Sequence, residues 1–255
     1  MIKVGPSGIG GAKEAEDILD EYKENKMDLA EIAYTYSVYL KPEDAKRIGK
    51  IAKKNKIELS IHGHYFVNLN SEDKKKVYMS KKRILDCCES AHYLGAKVVV
   101  FHPGFYGKRD PKVTYENIMN EIKNLMKTIK ENKWDVLLCP ETTGKVNVFG
   151  SMDEILRLVE DTGCSFCVDF AHLKARNLGK IDYDSVVDKI KKFKHIHCHY
   201  SGIVYGDKGE RNHKLVDIKE WKELVKSMKK VECDFSVVCE SPDPFGDALR
   251  MKSVL

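Results

Sequence analysis

Six apolar runs in this chain each end in a side chain able to hold a cation. LSIHGHYF (59–66) delivers His62, and VVVFHPG (98–104) delivers His102. VLLCPETTG (136–144) delivers Glu141, and CSFCVDFAH (164–172) delivers Asp169 and then His172. HIHCHYSG (195–202) delivers His199, and FSVVCESP (235–242) delivers Glu240. Imidazole and carboxylate donors without a dedicated cysteine cluster suit Zn²⁺, Mn²⁺ or Fe²⁺ in a catalytic role. His62, His102 and His199 with Glu141, Asp169 and Glu240 exceed the demand of one tetrahedral ion, so at least two ions are expected. Glu141, central in the order, is the expected bridge. Two neighbouring ions can activate a water and neutralise the charge that builds on a phosphoryl group.

The elements that must position these residues follow a simple rhythm. Strand-like runs fall at residues 2–5, 28–33, 57–62, 97–101, 135–139, 165–169, 194–199 and 235–239, each followed by a helical pattern. The spacing predicts helices over 12–23, 42–55, 71–95, 113–130, 183–191, through Trp221 and Leu224, and from Asp247. Pro42 suits the start of the second helix, Ser71 is the expected cap of the third, and Ser151 with Glu154 has a capping-box pattern. Residues after Asp169 read as a polar segment, and 200–216 as a loop. Eight strands apolar on both faces, in a repeat of roughly 30 residues, predict one closed (β/α)₈ TIM barrel over residues 1–255. In that fold catalytic side chains gather at the carboxyl ends of the strands, where all the residues named above lie. An open doubly wound sheet would not bring six strand endings to one point.

Composition narrows the remaining classes. With 255 residues and 42% apolar content the chain has a soluble protein's makeup, and no apolar run is long enough to span a bilayer. The opening MIKVGPSGIGG lacks the apolar stretch of a signal peptide, so a cytoplasmic protein is expected. PSGIGG has the wrong glycine spacing for a dinucleotide site. Eight cysteines read as small buried thiols, with Cys139, Cys164, Cys167, Cys198 and Cys239 inside predicted strands. Cys164 and Cys167 would face opposite ways in a strand, which argues against a redox or zinc pair.

The formal charge of +5, from 44 basic and 39 acidic residues, permits a polyanionic partner without demanding one. Lys108, Arg109, Lys145, Lys174, Arg176, Lys208 and Arg211 follow strands four to seven and would ring the barrel mouth, an arrangement suited to a phosphodiester backbone. Tyr36, Tyr39, Tyr65, Phe105, Tyr106 and Tyr205 are available to stack or wedge at a base step. Of the remaining histidines, His195 and His197 share a strand face with His199 but lie below the mouth, where packing is the expected role. His64 and His92 are expected to be structural. His213, in GERNHKL, could reach a third ion together with His172.

The motifs IHGHYFVNL, VFHPG, PETTG, VDFAH, HYSG and CESP, in this order over nearly the whole chain, resemble the endonuclease IV family of apurinic/apyrimidinic endonucleases. Sugar isomerases and epimerases of related architecture share parts of the pattern. The resemblance implies a (β/α)₈ barrel with a trinuclear zinc cluster that cleaves the phosphodiester 5′ to an abasic site in double-stranded DNA. It implies that His62 and His102 hold a first zinc, and that Glu141 bridges it to a second bound by Asp169, His199 and Glu240. His172 and His213 would serve the third, and Tyr65 would enter the DNA at the lesion. Glu141 and His102 are the side chains expected to be indispensable for catalysis. Lys108, Arg109, Lys174, Arg176 and Arg211 are the expected DNA contacts of a monomer.

Two departures stand out. The family writes Asp-Arg-His where this chain has Arg211, Asn212 and His213, and arginine cannot ligate. Glu210 could substitute if the chain shifts by one residue. Also, SVYL stands where the family places an arginine after strand two. Two other functions compete with the nuclease: a metal-dependent sugar isomerase or epimerase, and a barrel that binds damaged nucleic acid without cutting it.

Overall fold

A computed structural model describes residues 1–255. The strands are β1 (Ile2–Pro6), β2 (Leu29–Ala33), β3 (Glu58–His62), β4 (Val98–Phe101), β5 (Leu137–Pro140), β6 (Cys167–Asp169), β7 (His195–Tyr200), β8 (Gly202–Gly206), β9 (Gly209–Lys214) and β10 (Asp234–Cys239). The helices are α1 (Ala15–Glu24), α2 (Pro42–Asn55), α3 (Lys74–Leu94), α4 (Pro111–Glu131), α5 (Met152–Thr162), α6 (Phe170–Arg176), α7 (Tyr183–Ile190), α8 (Ile218–Met228) and α9 (Pro244–Lys252). Two parallel arcs, β2-β3-β4-β5 and β1-β10-β7-β6, form the wall. The Gly8 N–H donates to Glu31 O at 2.7 Å, and the Thr142 N–H donates to Cys167 O at 3.1 Å, joining the arcs at both seams. The barrel is closed, as the eight predicted strands require.

Strand alternation sorts the apolar side chains into two unequal sets. Outward-facing Val4, Ile32, Ile61, Val99, Phe101, Leu138, Val168 and Phe235 meet the helices in one cluster of 58 buried residues. α4 contributes Ile118, Ile122, Leu125 and Ile129 to it, all buried as their spacing predicts. Inside the barrel the one apolar cluster is Val100, Cys139 and Cys167, with Val98 packed against it.

Local signals set most boundaries. Pro42 begins α2, and Ser151 and Glu154 close a reciprocal capping box on α5. Ser71 is not the cap of α3. Its hydroxyl accepts from Asp73 N at 3.2 Å, and Asp73 caps the helix by accepting from Lys75 N at 2.8 Å. Two expected irregular stretches are ordered. Residues after Asp169 form α6, because Asp169 caps it and Leu173 and Ala175 bury its face. Within 200–216, β8 and β9 pair as an antiparallel hairpin. Cys164 lies before β6 rather than in it, and all eight cysteines are free and buried.

Candidate metal centre

Each arc delivers its donors at the carboxyl ends of its strands. His62 ends β3, and His102 and Glu141 immediately follow β4 and β5. Asp169 ends β6, His199 lies near the end of β7, and Glu240 follows β10. Their ligand atoms converge in groups, each spanning no more than 4.8 Å: His62, His102 and Glu141; Glu141, Asp169, His199 and Glu240; and Asp169, His172 and His213. Glu141 belongs to the first two groups and Asp169 to the last two.

The fully buried Glu141 carboxylate divides its oxygens between neighbours. Oε2 lies 3.2 Å from His62 Nε2 and 2.7 Å from His102 Nε2, whereas Oε1 lies 2.9 Å from His199 Nδ1. Glu240 Oε2 stands 3.3 Å from the same His199 nitrogen. The ring bonds say which nitrogens are donors. His62 Nδ1–H donates to Gly63 O at 2.9 Å, so its Nε2 turns a lone pair toward a carboxylate. His172 Nδ1–H donates to Thr142 O at 3.0 Å, and His213 Nδ1–H donates to Glu240 O at 2.9 Å. Their two Nε2 lone pairs then face each other at 3.4 Å. Lone pairs so placed repel unless a cation lies between them, and buried His102 Nε2 and Asp169 Oδ2 are likewise without a hydrogen-bond partner. The donor chemistry fits divalent ions of the zinc type.

Without ions, protons must serve. Burial opposes charge on His62, but Glu141 outweighs it and pushes the ring up to about 9. Burial also opposes charge on His172, where Asp169 and Glu141 push it up to about 9. Burial would raise Glu240, yet His199 holds it down to about 2. Burial would raise Glu141 too, and His102 and His199 hold it well below the usual range. Asp169 goes the other way, raised by burial.

At the third group the missing aspartate has a geometric answer. The hairpin pairs Val204 with Asn212 and Tyr205 with Glu210, leaving Arg211 unpaired as a β-bulge. Paired residues share a face and alternate along the strand, so the bulge puts Glu210 on the side of His213. Glu210 Oε2 lies 3.5 Å from His172 Nε2. The Glu210 N–H donates to Gly144 O at 3.0 Å, which docks the hairpin on the loop after β5. A Cβ at residue 144 would come 2.7 Å from Glu210 Cβ and 3.1 Å from His172 Cδ2, so only glycine lets the three lie together. Arg211, which stands where the family has its aspartate, is turned to the other face and is exposed.

A model of the family described as xylose isomerase-like TIM barrel matches residues 19–252. The chain belongs to this family. A protein of Methanocaldococcus jannaschii described as uncharacterized is 32% identical over 255 residues, covering 95% of this chain and 92% of that one. A probable endonuclease 4 of Mycobacterium leprae is 27% identical, covering 76% of each. Endonuclease IV from Thermus thermophilus superposes with a TM-score of 0.74 at 20% identity, covering 99% of this chain and 97% of that one. A D-tagatose 3-epimerase-like protein gives the same score at 18% identity, covering 99% and 95%. Both structural likenesses show the fold alone, so the chemistry of this family member has to be read at its own barrel mouth.

Around that mouth the basic residues divide. Lys108 is exposed and Arg109 half-buried, but Lys174 is paired with Glu220 and Arg176 is spent on the loop after β5. Arg176 Nη1 donates to Lys145 O at 2.6 Å and Val148 O at 2.9 Å. These two are braces rather than free cations. Tyr65 is 70% exposed, and the pKa of its hydroxyl is pushed up first by burial and then by the charges of Glu210, Glu240 and Glu141. Phe66, exposed next to it and 6.2 Å in ring centroids from Tyr36, is a rim aromatic that pattern reading missed. His64 is buried with its Nδ1 3.5 Å from Cys87 Sγ, as a structural histidine should be.

Sequence reasoning also missed Glu31. It is the one charged residue of β2, is fully buried, and meets His197, His199 and Ser60 inside the barrel. The signal was there: a lone carboxylate between Ala30 and Ile32 in an otherwise apolar strand.

Proposed function

We propose that the protein is a zinc-dependent endonuclease that hydrolyses the phosphodiester 5′ to abasic sites in double-stranded DNA, acting as a monomer. The observation that carries this reading is the third donor group. Asp169, His172 and His213 converge beside the two groups joined at Glu141, and Glu210 Oε2 lies 3.5 Å from His172 Nε2, so the donors extend past two ions, as the resemblance to the endonuclease IV family implies. Likeness to the Mycobacterium leprae protein described as a probable endonuclease 4 supports the same chemistry.

His62 and His102 would hold a first ion, and Glu141 would bridge to a second held by Asp169, His199 and Glu240. His172, His213 and Glu210 would hold a third, with Glu210 replacing the aspartate that Arg211 displaces. Ions held there would supply an activated water and would neutralise the charge that builds on a phosphoryl group. The chain's own contribution is placement. Asp169 holds His172 N at 2.7 Å through Oδ1 and keeps Oδ2 for the centre. Tyr65, with Tyr36 and Phe66, would fill the space vacated by the missing base. Lys108, Arg109, Lys145 and Lys208 would meet the flanking phosphates.

The test is a labelled duplex with one abasic site, incubated with zinc-loaded protein, chelated protein and the His102→Ala variant. Cleavage 5′ to the site, absent in the last two samples, is the expected result. Intact loaded protein that binds the duplex and leaves it uncut would defeat the proposal in favour of a lesion-binding protein.

A further inference from the structure

The barrel interior below the metal centre holds a carboxylate that the reaction does not touch. Glu31 is 0% exposed on β2, yet its partners His197 and His199 are on β7, with β1 and β10 between them in the wall. The contact therefore crosses the barrel's interior. Glu31 Oε2 accepts from Ser60 Oγ at 2.7 Å and from His197 Nε2 at 3.1 Å. Oε1 lies 2.9 Å from His199 Nε2, within reach but out of hydrogen-bonding alignment in the ion-free protein, and neither atom has a hydrogen-bond partner. A buried charge is costly to desolvate, and the interior of this fold is ordinarily filled by branched apolar side chains. Stability alone would be served by Val or Ile at residue 31.

We propose that Glu31 is a positioning residue for the metal ligand His199, an inference that rests on the metal-centre reading above. A neutral imidazole has one lone pair and one N–H. His199 Nδ1 faces the centre, 2.9 Å from Glu141 Oε1 and 3.3 Å from Glu240 Oε2, so its lone pair belongs there. With an ion on Nδ1 the proton would sit on Nε2, 2.9 Å from Glu31 Oε1, where a small rotation of the ring completes the bond. This is a carboxylate–histidine–metal relay: it fixes the tautomer, stops the ring from turning and makes Nδ1 a stronger donor. Ser60 and His197 hold the carboxylate in turn. A rival occupant is a separate ion on Cys167, His197 and His199, whose ligand atoms also lie within 4.8 Å of one another. Against it, His197 Nε2 is already engaged with Glu31, and burial pushes the Cys167 thiol far up, away from the thiolate a metal needs.

The experiment compares wild type with Glu31→Gln, which keeps the shape and removes the charge. Stripped proteins are titrated with Co²⁺ against a competing chelator while the visible absorption of bound cobalt is followed. One ion equivalent should bind about tenfold to a hundredfold more weakly in the variant, with an altered cobalt spectrum and the other equivalents unchanged. If the variant does not fold, nitrogen-15 spectra of the histidine rings in zinc-loaded wild type decide alone. His199 should be protonated at Nε2 and metal-bound at Nδ1. Equal affinity for every equivalent in a folded variant overturns the proposal, as does a His199 without a proton on Nε2. So does an additional ion that Cys167→Ser removes, because that assigns the floor to a cation. Wild type that takes up no ion defeats the metal-centre reading and this inference with it. Wild type that loads normally beside an equally loaded variant defeats this inference only.

Discussion

The two faces of the same eight strands do opposite work. The outward face joins the helices in a cluster of 58 buried apolar residues, whereas the inward face keeps Val100, Cys139 and Cys167 as its only apolar cluster. The rest of the interior near the mouth is a stack of histidines and carboxylates from Glu31 up to Glu141. Burial of apolar surface stabilises the outer layer by roughly 25 cal/mol per Å². The inner stack gains nothing of that kind and needs its own charges, or ions, for balance. Stability and chemistry are thus assigned to alternate residues of each strand, a division that a period of two makes possible.

Substitutions on the two faces should therefore separate activity from stability. Glu141→Gln removes the central carboxylate and should lower cleavage by about a thousandfold, equivalent to roughly 4 kcal/mol of transition-state stabilisation. Single-turnover rates on an abasic duplex check this, and a folded variant with the wild-type rate would break the division. Ile122→Ala on α4 should do the reverse. It should cost about 2–5 kcal/mol in denaturant unfolding while leaving the rate per folded molecule within a few-fold.

Acidity sharpens the contrast further. In metal-free protein His62 and His172 titrate at about 9, above the roughly 6.5 of an unfolded histidine. Their stabilising effect is therefore complete below pH 6.5 and is lost as pH rises through about 9. Ions displace those protons, so the stabilisation gained on loading should grow over the same window. Melting temperatures of chelated and zinc-loaded protein at both ends of the window should diverge; parallel curves would remove the inner stack from the balance. A smaller effect is expected at the hairpin. Glu210→Gln should lower the bound-metal count by one equivalent, and Arg211→Ala should leave it unchanged, as read by elemental analysis after desalting.

Much of this was legible from the residues. Strand endings and helix periodicity specify the closed barrel, because residues that end apolar runs must sit at one rim if the strands are parallel. His62, His102, Glu141, Asp169, His172, His199 and Glu240 do meet there. Besides Glu31 and Phe66, three things escaped, each for a physical reason. α6 was hidden because Asp169, read as a ligand, is also a helix cap, and seven residues give too short a period to recognise. The hairpin was hidden because GERNHK carries no apolar alternation; it is held by docking against the loop after β5 rather than by its own core. Lys174 and Arg176 looked like mouth cations because charge in a sequence says nothing about partners, and here Glu220 and backbone carbonyls claim them.

The bulge in that hairpin makes Arg211 a spacer. What reaches the centre is decided by counting residues along β9, and the identity at 211 is immaterial to it. Deleting Arg211 would regularise the ladder with Glu210 still opposite Tyr205, so the shortened chain should keep its full complement of ions. Inserting one residue after Tyr205 on the facing strand would regularise it the other way, pair Arg211 with Tyr205 and swing the guanidinium inward. Two one-residue changes that both restore a regular ladder, a deletion on β9 and an insertion on β8, should thus have opposite outcomes in a metal count.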